Sequence, residues 1–286
     1  MKLGFAAILG AIFLNSCATT PKIDDTSSTK IDSSTTKDFK LKKTSAKLTA
    51  GLADYKYEGQ SFKSQWLQCV GKQGAPFVAF FHGNAGANNP QNFCDDWSAQ
   101  VLLKNGFNVL AVNRPSFIGS SGKDDMSGAQ SVEAITAGLK AASGSLPIIG
   151  FWGVDTGVIA ATFTGKTWPD LKWMILGNGL YDLETVERTT QNDAIKKSIA
   201  TQKNKEGEAA LERRSIAWDI AGLPKLIAVY HTKSNTTSPK QQASDFTAQL
   251  RTAQIKVFFD EVDGVDGDLP WQAHYLIVEK ALKNVK

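Results

Sequence analysis

The feature that most constrains this chain is a recurring unit. Short, wholly apolar runs end in glycine-rich or polar turns and alternate with stretches of helical periodicity. Phe77 to Phe81 is one such run, closed by His82-Gly83-Asn84-Ala85-Gly86, and Val109 to Val112 is another. Strands read this way when helices bury both of their faces. In MSGAQSVEAITAGLKAA, Val132, Ile135 and Leu139 recur at helical spacing, with Ser and Gly ahead of them. LPIIGFWG then reads as a strand and TGVIAATF as a helix; LKWMILGNG, PKLIAVYH and IKVFFDEV are further strands, and HYLIVEKALKNV is a closing helix. This alternation predicts an α/β fold with a mostly parallel central sheet covered by helices on both faces. Ahead of it, LADYKYEGQSFKSQWLQCVG alternates apolar and polar residues around Glu58-Gly59-Gln60, the pattern of a hairpin.

The two ends of the chain differ. Lys2 followed by the apolar stretch Leu3 to Leu14 has the length and charge of a signal peptide and is too short for a stable transmembrane helix. It ends in Leu14-Asn15-Ser16-Cys17, which resembles a bacterial lipobox. The resemblance implies cleavage after residue 16, lipidation at Cys17 and a membrane contact through the acyl anchor. Several acyl chains together make such an anchor stable. Ala18, not Asp, follows the Cys, which favours the outer membrane facing the periplasm. Residues 17–47 are rich in Ser, Thr, Lys and Asp without apolar period and read as a disordered tether. Residues 48–286 suit one α/β domain. About 45 charged, helix-prone residues separate two of its strands, and 183–222 reads as a small helical cap.

Composition excludes some classes. The net charge is +4 with no basic stripe interleaved with aromatics, so no nucleic-acid partner is expected. Of three Cys, Cys69 and Cys94 remain once Cys17 is assigned to lipid; a disulfide and two buried thiols are both open, because spacing does not give the geometry. The acidic loop of Asp260, Glu261, Asp263, Asp266 and Asp268 lacks the spacing of a calcium loop and reads as solvated, so neither metal nor cofactor is expected.

Four stretches in order carry a family resemblance: Phe80 to Gly86 (FFHGNAG), Asn113 to Gly122 (NRPSFIGSSG), Gly153 to Gly157 (GVDTG) and His231 to Pro239 (HTKSNTTSP). Each follows an expected strand, and together they resemble the α/β-hydrolase superfamily, in particular its HGNAG-type serine hydrolases, over nearly all of residues 50 to 286. Where that family has G-x-S-x-G, this chain has Asp155 at the nucleophile position. The resemblance puts an oxyanion hole at the amides of Asn84 and Thr156, the base at His274 and the triad acid at Asn235. Asp182, after another strand, is an alternative acid, although its place before LETVER favours a helix N-cap. His82 falls in the oxyanion loop, where the family uses a histidine structurally, and His231 matches the family's usual His at the end of a strand.

Two functions follow. Asp155 can be a nucleophile towards a saturated carbon of a small organic substrate, as in the dehalogenases and epoxide hydrolases of this fold, with His274 activating water. Alternatively, Asp155 caps the next helix on a catalytically inactive scaffold that binds a ligand or envelope partner, a protein partner being unspecified. A hydrolase requires Asp155 and His274 within hydrogen-bond reach in an apolar pocket under the cap.

Overall fold

The computed structural model describes residues 26–30, 39–84, 86–263 and 270–285. The signal-peptide and lipobox expectations, Cys17, Ala85 of the glycine-rich turn, and Asp266 and Asp268 of the acidic loop lie outside these residues.

The described residues form a nine-stranded sheet. Its strands are β1 (Thr26–Lys30), β2 (Lys47–Tyr57), β3 (Gln60–Val70), β4 (Phe77–Phe81), β5 (Asn108–Val112), β6 (Ile148–Val154), β7 (Trp173–Gly177), β8 (Leu226–Thr232) and β9 (Lys256–Asp263). They lie in the order β1-β9-β8-β7-β6-β4-β5-β3-β2. β2 and β3 form the expected hairpin, and β3 also runs antiparallel to β5. All other pairings are parallel.

The apolar runs sort by parity between two cores. On β4, Phe77, Ala79 and Phe81 face one cluster while Val78 and Phe80 face the other. That two-sided burial is what an unbroken apolar strand encodes. The first face is covered by α2 (Ala129–Ser143), α3 (Gly157–Thr167) and α7 (Lys240–Thr252). The second is covered by α1 (Trp97–Lys104) and α8 (Trp271–Val285). α1 and α7 are helices that the apolar pattern left unmarked. The region 183–222 contains α4 (Leu183–Thr189), α5 (Asp193–Glu206) and α6 (Ala209–Glu212). Leu183, Val186, Ile195, Ile199 and Leu211 of this region merge with the first core.

One expectation is corrected. The tether over 17–47 is not wholly irregular: Thr26–Lys30 add a parallel edge strand to β9. Thr29 Oγ1 donates to Asp260, and Lys280 Nζ reaches both. Phe39 and Leu41 pack against the second core, Phe39 against the rings of Trp271 and Tyr275. Backbone pairing with an open sheet edge needs no apolar period, so composition did not reveal it. Among the described residues, no helix is long and apolar enough to cross a membrane.

Candidate functional site

β4, β6, β7 and β8 all deliver their C-terminal ends to one side of the sheet, where β4 lies between β5 and β6 and the chain order reverses. Ligand crevices form at such switch points. Here the crevice is a cavity of about 470 Å³ lined by Asp155, His274, Asn84, Asn235 and Trp97, among others.

Asp155 sits on the turn between β6 and α3, with φ +52°. Asp and Asn are among the few non-glycine residues that tolerate this region. Glycines make the turn fit. A Cβ on Gly157 would lie 2.3 Å from Phe81 O and 2.6 Å from His82 O, and one on Gly83 would lie 2.9 Å from Asp155 Cβ. The Asn84 amide donates to Asp155 Oδ2 at 2.9 Å. The first candidate oxyanion donor is therefore directed at the carboxylate itself. Thr156, the second, caps α3 and is fully buried, and its carbonyl accepts from Ser127 Oγ at 3.0 Å. Arg114, buried beneath, donates to Ser127 Oγ and to Gly83 O, and its charge favours the ionised Asp155. One guanidinium thus braces both the oxyanion loop and the elbow. Asn113 accepts from Asn88 N and donates to the carbonyls of Asn88 and Ile118.

His274 lies in the first turn of α8 and lines the cavity. Neither expected acid reaches it. Asn235 lines the cavity, but its Oδ1 accepts from the amides of Thr237 and Ser238, both at 2.8 Å, in a turn after β8. Asp182 caps α4, accepting from Glu184 N, Thr185 N and Thr185 Oγ1. Among the described residues, the hydrogen bond of the His274 side chain is instead between Nδ1 and Tyr230 Oη, at 3.0 Å. Tyr230 is a residue that sequence reasoning missed. Its signal was parity: Ile227 and Val229 face the first core, so Ala228 and Tyr230 face the second, under α8. Gly177 on the adjacent strand leaves room for the ring, since a Cβ there would fall 1.9 Å from Tyr230 Cζ.

This contact sets the protons on His274. Trp152 Nε1, which can only donate, points at Tyr230 Oη at 3.3 Å. Burial holds the Tyr230 phenol far above its usual range, so it stays neutral. Its hydrogen then goes to His274 Nδ1, and the network assigns the hydrogen of the imidazole to Nε2. The opposite tautomer leaves a buried hydroxyl hydrogen without an acceptor, at a cost of about 1–3 kcal/mol. Burial also pulls the His274 pKa down to about 4, so the ring is neutral at pH 7. Tyr230 therefore does what a triad acid does not: it takes the acceptor away from the cavity-facing nitrogen.

The other histidines are structural in geometry. His231 Nε2 bonds Ser238 O at 3.0 Å, and burial lowers its pKa to about 4. His82 Nδ1 bonds Gly83 O at 2.9 Å, and burial lowers its pKa to about 3. Cys69 and Cys94 form a disulfide. It ties β3 to the segment just before Trp97, whose ring lies 5.4 Å from that of His274. Among the described residues, no cluster of His, Cys, Asp and Glu could hold a metal ion.

No protein-family model and no curated protein matches the sequence. Solved structures do match in shape. A Pyrococcus furiosus esterase, Pf2001, aligns at TM-score 0.63 and 15% identity, covering 91% of this chain and 95% of the esterase. A Mycobacterium tuberculosis puromycin-hydrolyzing peptidase aligns at TM-score 0.63 and 16% identity, covering 83% of this chain and 38% of the peptidase. A Pyrococcus horikoshii acylaminoacyl peptidase aligns at TM-score 0.60 and 14% identity over 86% of this chain. The chain spans about two fifths of the length of the peptidases it matches. The sheet order, the elbow between β6 and α3 and these shapes agree: the chain has the α/β-hydrolase fold.

Proposed function

We propose that this protein is an envelope-anchored ligand-binding domain on an α/β-hydrolase scaffold, in which Asp155 and His274 hold a ligand and do not turn it over. The observation that carries this reading is the Tyr230 hydroxyl on His274 Nδ1. Hydrolysis on this fold needs a cavity-facing imidazole lone pair to take a proton from water or a nucleophile, with a carboxylate behind it to stabilise the imidazolium. Here a neutral phenol stands behind it, and the cavity-facing nitrogen is a donor. The lining is also richer in amide side chains than the apolar substrate pocket a hydrolase of this kind requires. The anchor rests on the lipobox-like segment and Cys17, and the disulfide fits an oxidising compartment. Metabolic labelling with palmitate that Cys17→Ser abolishes is the result expected for the anchor.

A second reading has one specific observation in its favour. The Asn84 amide on Oδ2 orients the Asp155 carboxylate as a nucleophile towards a saturated carbon would be oriented. Attack would displace a halide or open an epoxide and leave an alkyl ester, whose hydrolysis needs water deprotonated by His274. Ordinary esters and peptides are poor substrates for a carboxylate, because the product is an anhydride, so the esterase and peptidase neighbours do not supply the substrate class.

The two readings separate in one experiment. The full chain carrying Cys17→Ser is assayed with haloalkanes, epoxides and short esters, beside Asp155→Asn and His274→Ala. The binding reading expects no turnover. Turnover that both variants abolish overturns it and establishes an Asp-nucleophile hydrolase. A mass increase on Asp155 without turnover would show a nucleophile whose second step lacks its base.

A further inference from the structure

We propose that the cavity takes a neutral, polyhydroxylated ligand, a saccharide, laid against Trp97. This rests on the non-turnover reading above and names the ligand of that same site.

Charge narrows the class first. Among the described residues, no Lys or Arg lines this cavity, and its carboxylates are Asp155 and Asp96, so phosphates and carboxylates find no counter-charge there. The two carboxylates are themselves engaged: Asp155 by the Asn84 amide and the Arg114 charge, Asp96 by the amide and hydroxyl of Ser98 at the start of α1. A cationic ligand would therefore compete with protein groups already satisfying those charges.

The groups left over are neutral amides. Asn88 is 6% exposed, lines the cavity, and its Nδ2 is buried without a hydrogen-bond partner. A buried amide with no partner costs about 1–3 kcal/mol unless something meets it. Asn235 spends its Oδ1 on the β8 turn, which leaves its amide hydrogens for the cavity. His274 adds the Nε2–H that the Tyr230 contact assigns to it. These are donors, and the carboxylates of Asp155 and Asp96 are the charged acceptors beside them. A carbohydrate hydroxyl is both donor and acceptor, so a ring bearing several of them matches such a set, whereas an acyl chain leaves every member unpaired.

Trp97 supplies the platform. Its indole stands between two spaces, because a second cavity of about 410 Å³ shares Asp96 and Trp97 with the first and continues to Trp271; the Lys43 that lines this second cavity is paired with Asp95 at 3.0 Å. Sugar C–H faces are apolar and lie flat on aromatic rings. Two adjoining cavities with an indole at their junction suit a ligand of at least two sugar units.

The test uses the full chain carrying Cys17→Ser, its tryptophan fluorescence, and calorimetric titration with glucose, N-acetylglucosamine and their β-linked dimers and tetramers. Choline and inorganic phosphate are the charged comparisons, and 1-chlorohexane is the apolar one. At least one sugar is expected to bind, a dimer more tightly than its monomer, with affinity lowered tenfold or more in Trp97→Ala and in Asn88→Ala. Trp97→Phe should recover part of the loss, which a merely unfolded Trp97→Ala would not allow. No sugar binding, sugar binding unchanged in Trp97→Ala, or tighter binding of choline, phosphate or 1-chlorohexane would each overturn the inference. A sugar that binds and is consumed would keep this inference and overturn the non-turnover reading. Apolar binding without turnover would do the reverse.

Discussion

At Asp155, three demands meet on one residue. The backbone there has φ +52°, the Asn84 amide needs an acceptor, and Arg114 below it favours an anion. Asp155→Asn retains the first two, because Asn tolerates the left-handed region and carries an amide oxygen. Asp155→Ala retains none. The expected loss is about 1–3 kcal/mol for Asp155→Ala, as for an orphaned buried donor, and clearly less for Asp155→Asn. Chemical denaturation of the pair measures it, and equal losses would mean that the carboxylate position does not hold the elbow. The residue scale is also where the sequence said least about the site. The motifs brought Asp155, His274, Asn84 and Asn235 to one cavity, but residue type could not say that the Asn235 oxygen would be spent on its own turn. Nor could it show a tyrosine four residues beyond Leu226 standing where an acid was expected. That is a three-dimensional coincidence of β6, β8 and α8, and only strand parity hints at it.

At the scale of the element, the elbow is the unit. The start of α3 approaches the end of β4 so closely that Gly157 lies against the backbone carbonyls of Phe81 and His82, with no flexible side chain to give way. Gly157→Ala is expected to cost about 3 kcal/mol, the upper end for overpacking, because backbone has to move. Thermal or urea unfolding checks it, and a change under about 0.5 kcal/mol, the range of a neutral surface substitution, would show that the turn is looser than described. This tightness is why the fold was legible. G-x-D-x-G, the buried strands and the hairpin are each local patterns enforced by sterics or burial, and they survive without knowledge of the partner. β1 was not legible for the opposite reason: Thr26–Lys30 pair through their backbone with a sheet edge more than two hundred residues away, and their composition is that of a linker.

For the whole molecule, two global couplings are exposed to measurement. The disulfide closes a 25-residue separation between β3 and the approach to α1. Loop-closure entropy puts its contribution at about 3–4 kcal/mol. Reduction, or Cys69→Ser with Cys94→Ser, should lower the unfolding free energy by that order. It should also weaken any ligand that rests on Trp97, which begins two residues after the bridged segment Phe93–Asp95. A reduced protein with unchanged unfolding would show that the packing of the second core alone holds this segment.

The second coupling is to protons. His82, His231 and His274 are all held neutral by burial, with pKa values near 3, 4 and 4 in place of 6.5. The sign follows from where protons bind. Above pH 6.5 neither folded nor unfolded chain protonates these rings, and burial costs nothing. Below it the unfolded chain takes up protons that the folded chain refuses, so stability falls as pH drops from 6.5 towards 4. At pH 5 each ring contributes about 2 kcal/mol of destabilisation, roughly 6 kcal/mol for the three together, which is of the order of a whole domain's stability. Glu206, held near a pKa of 2 by Arg214, adds to the loss only below about pH 4.5, as its carboxylate is protonated. Urea titrations at pH 7.5 and pH 5.0 should therefore show a large fall in midpoint at constant slope. A midpoint that holds to pH 5 would mean that the three rings accept protons in the folded state. His274 would then carry charge into the cavity, the Tyr230 hydroxyl would have turned from donor to acceptor, and the binding reading would lose the observation that carries it.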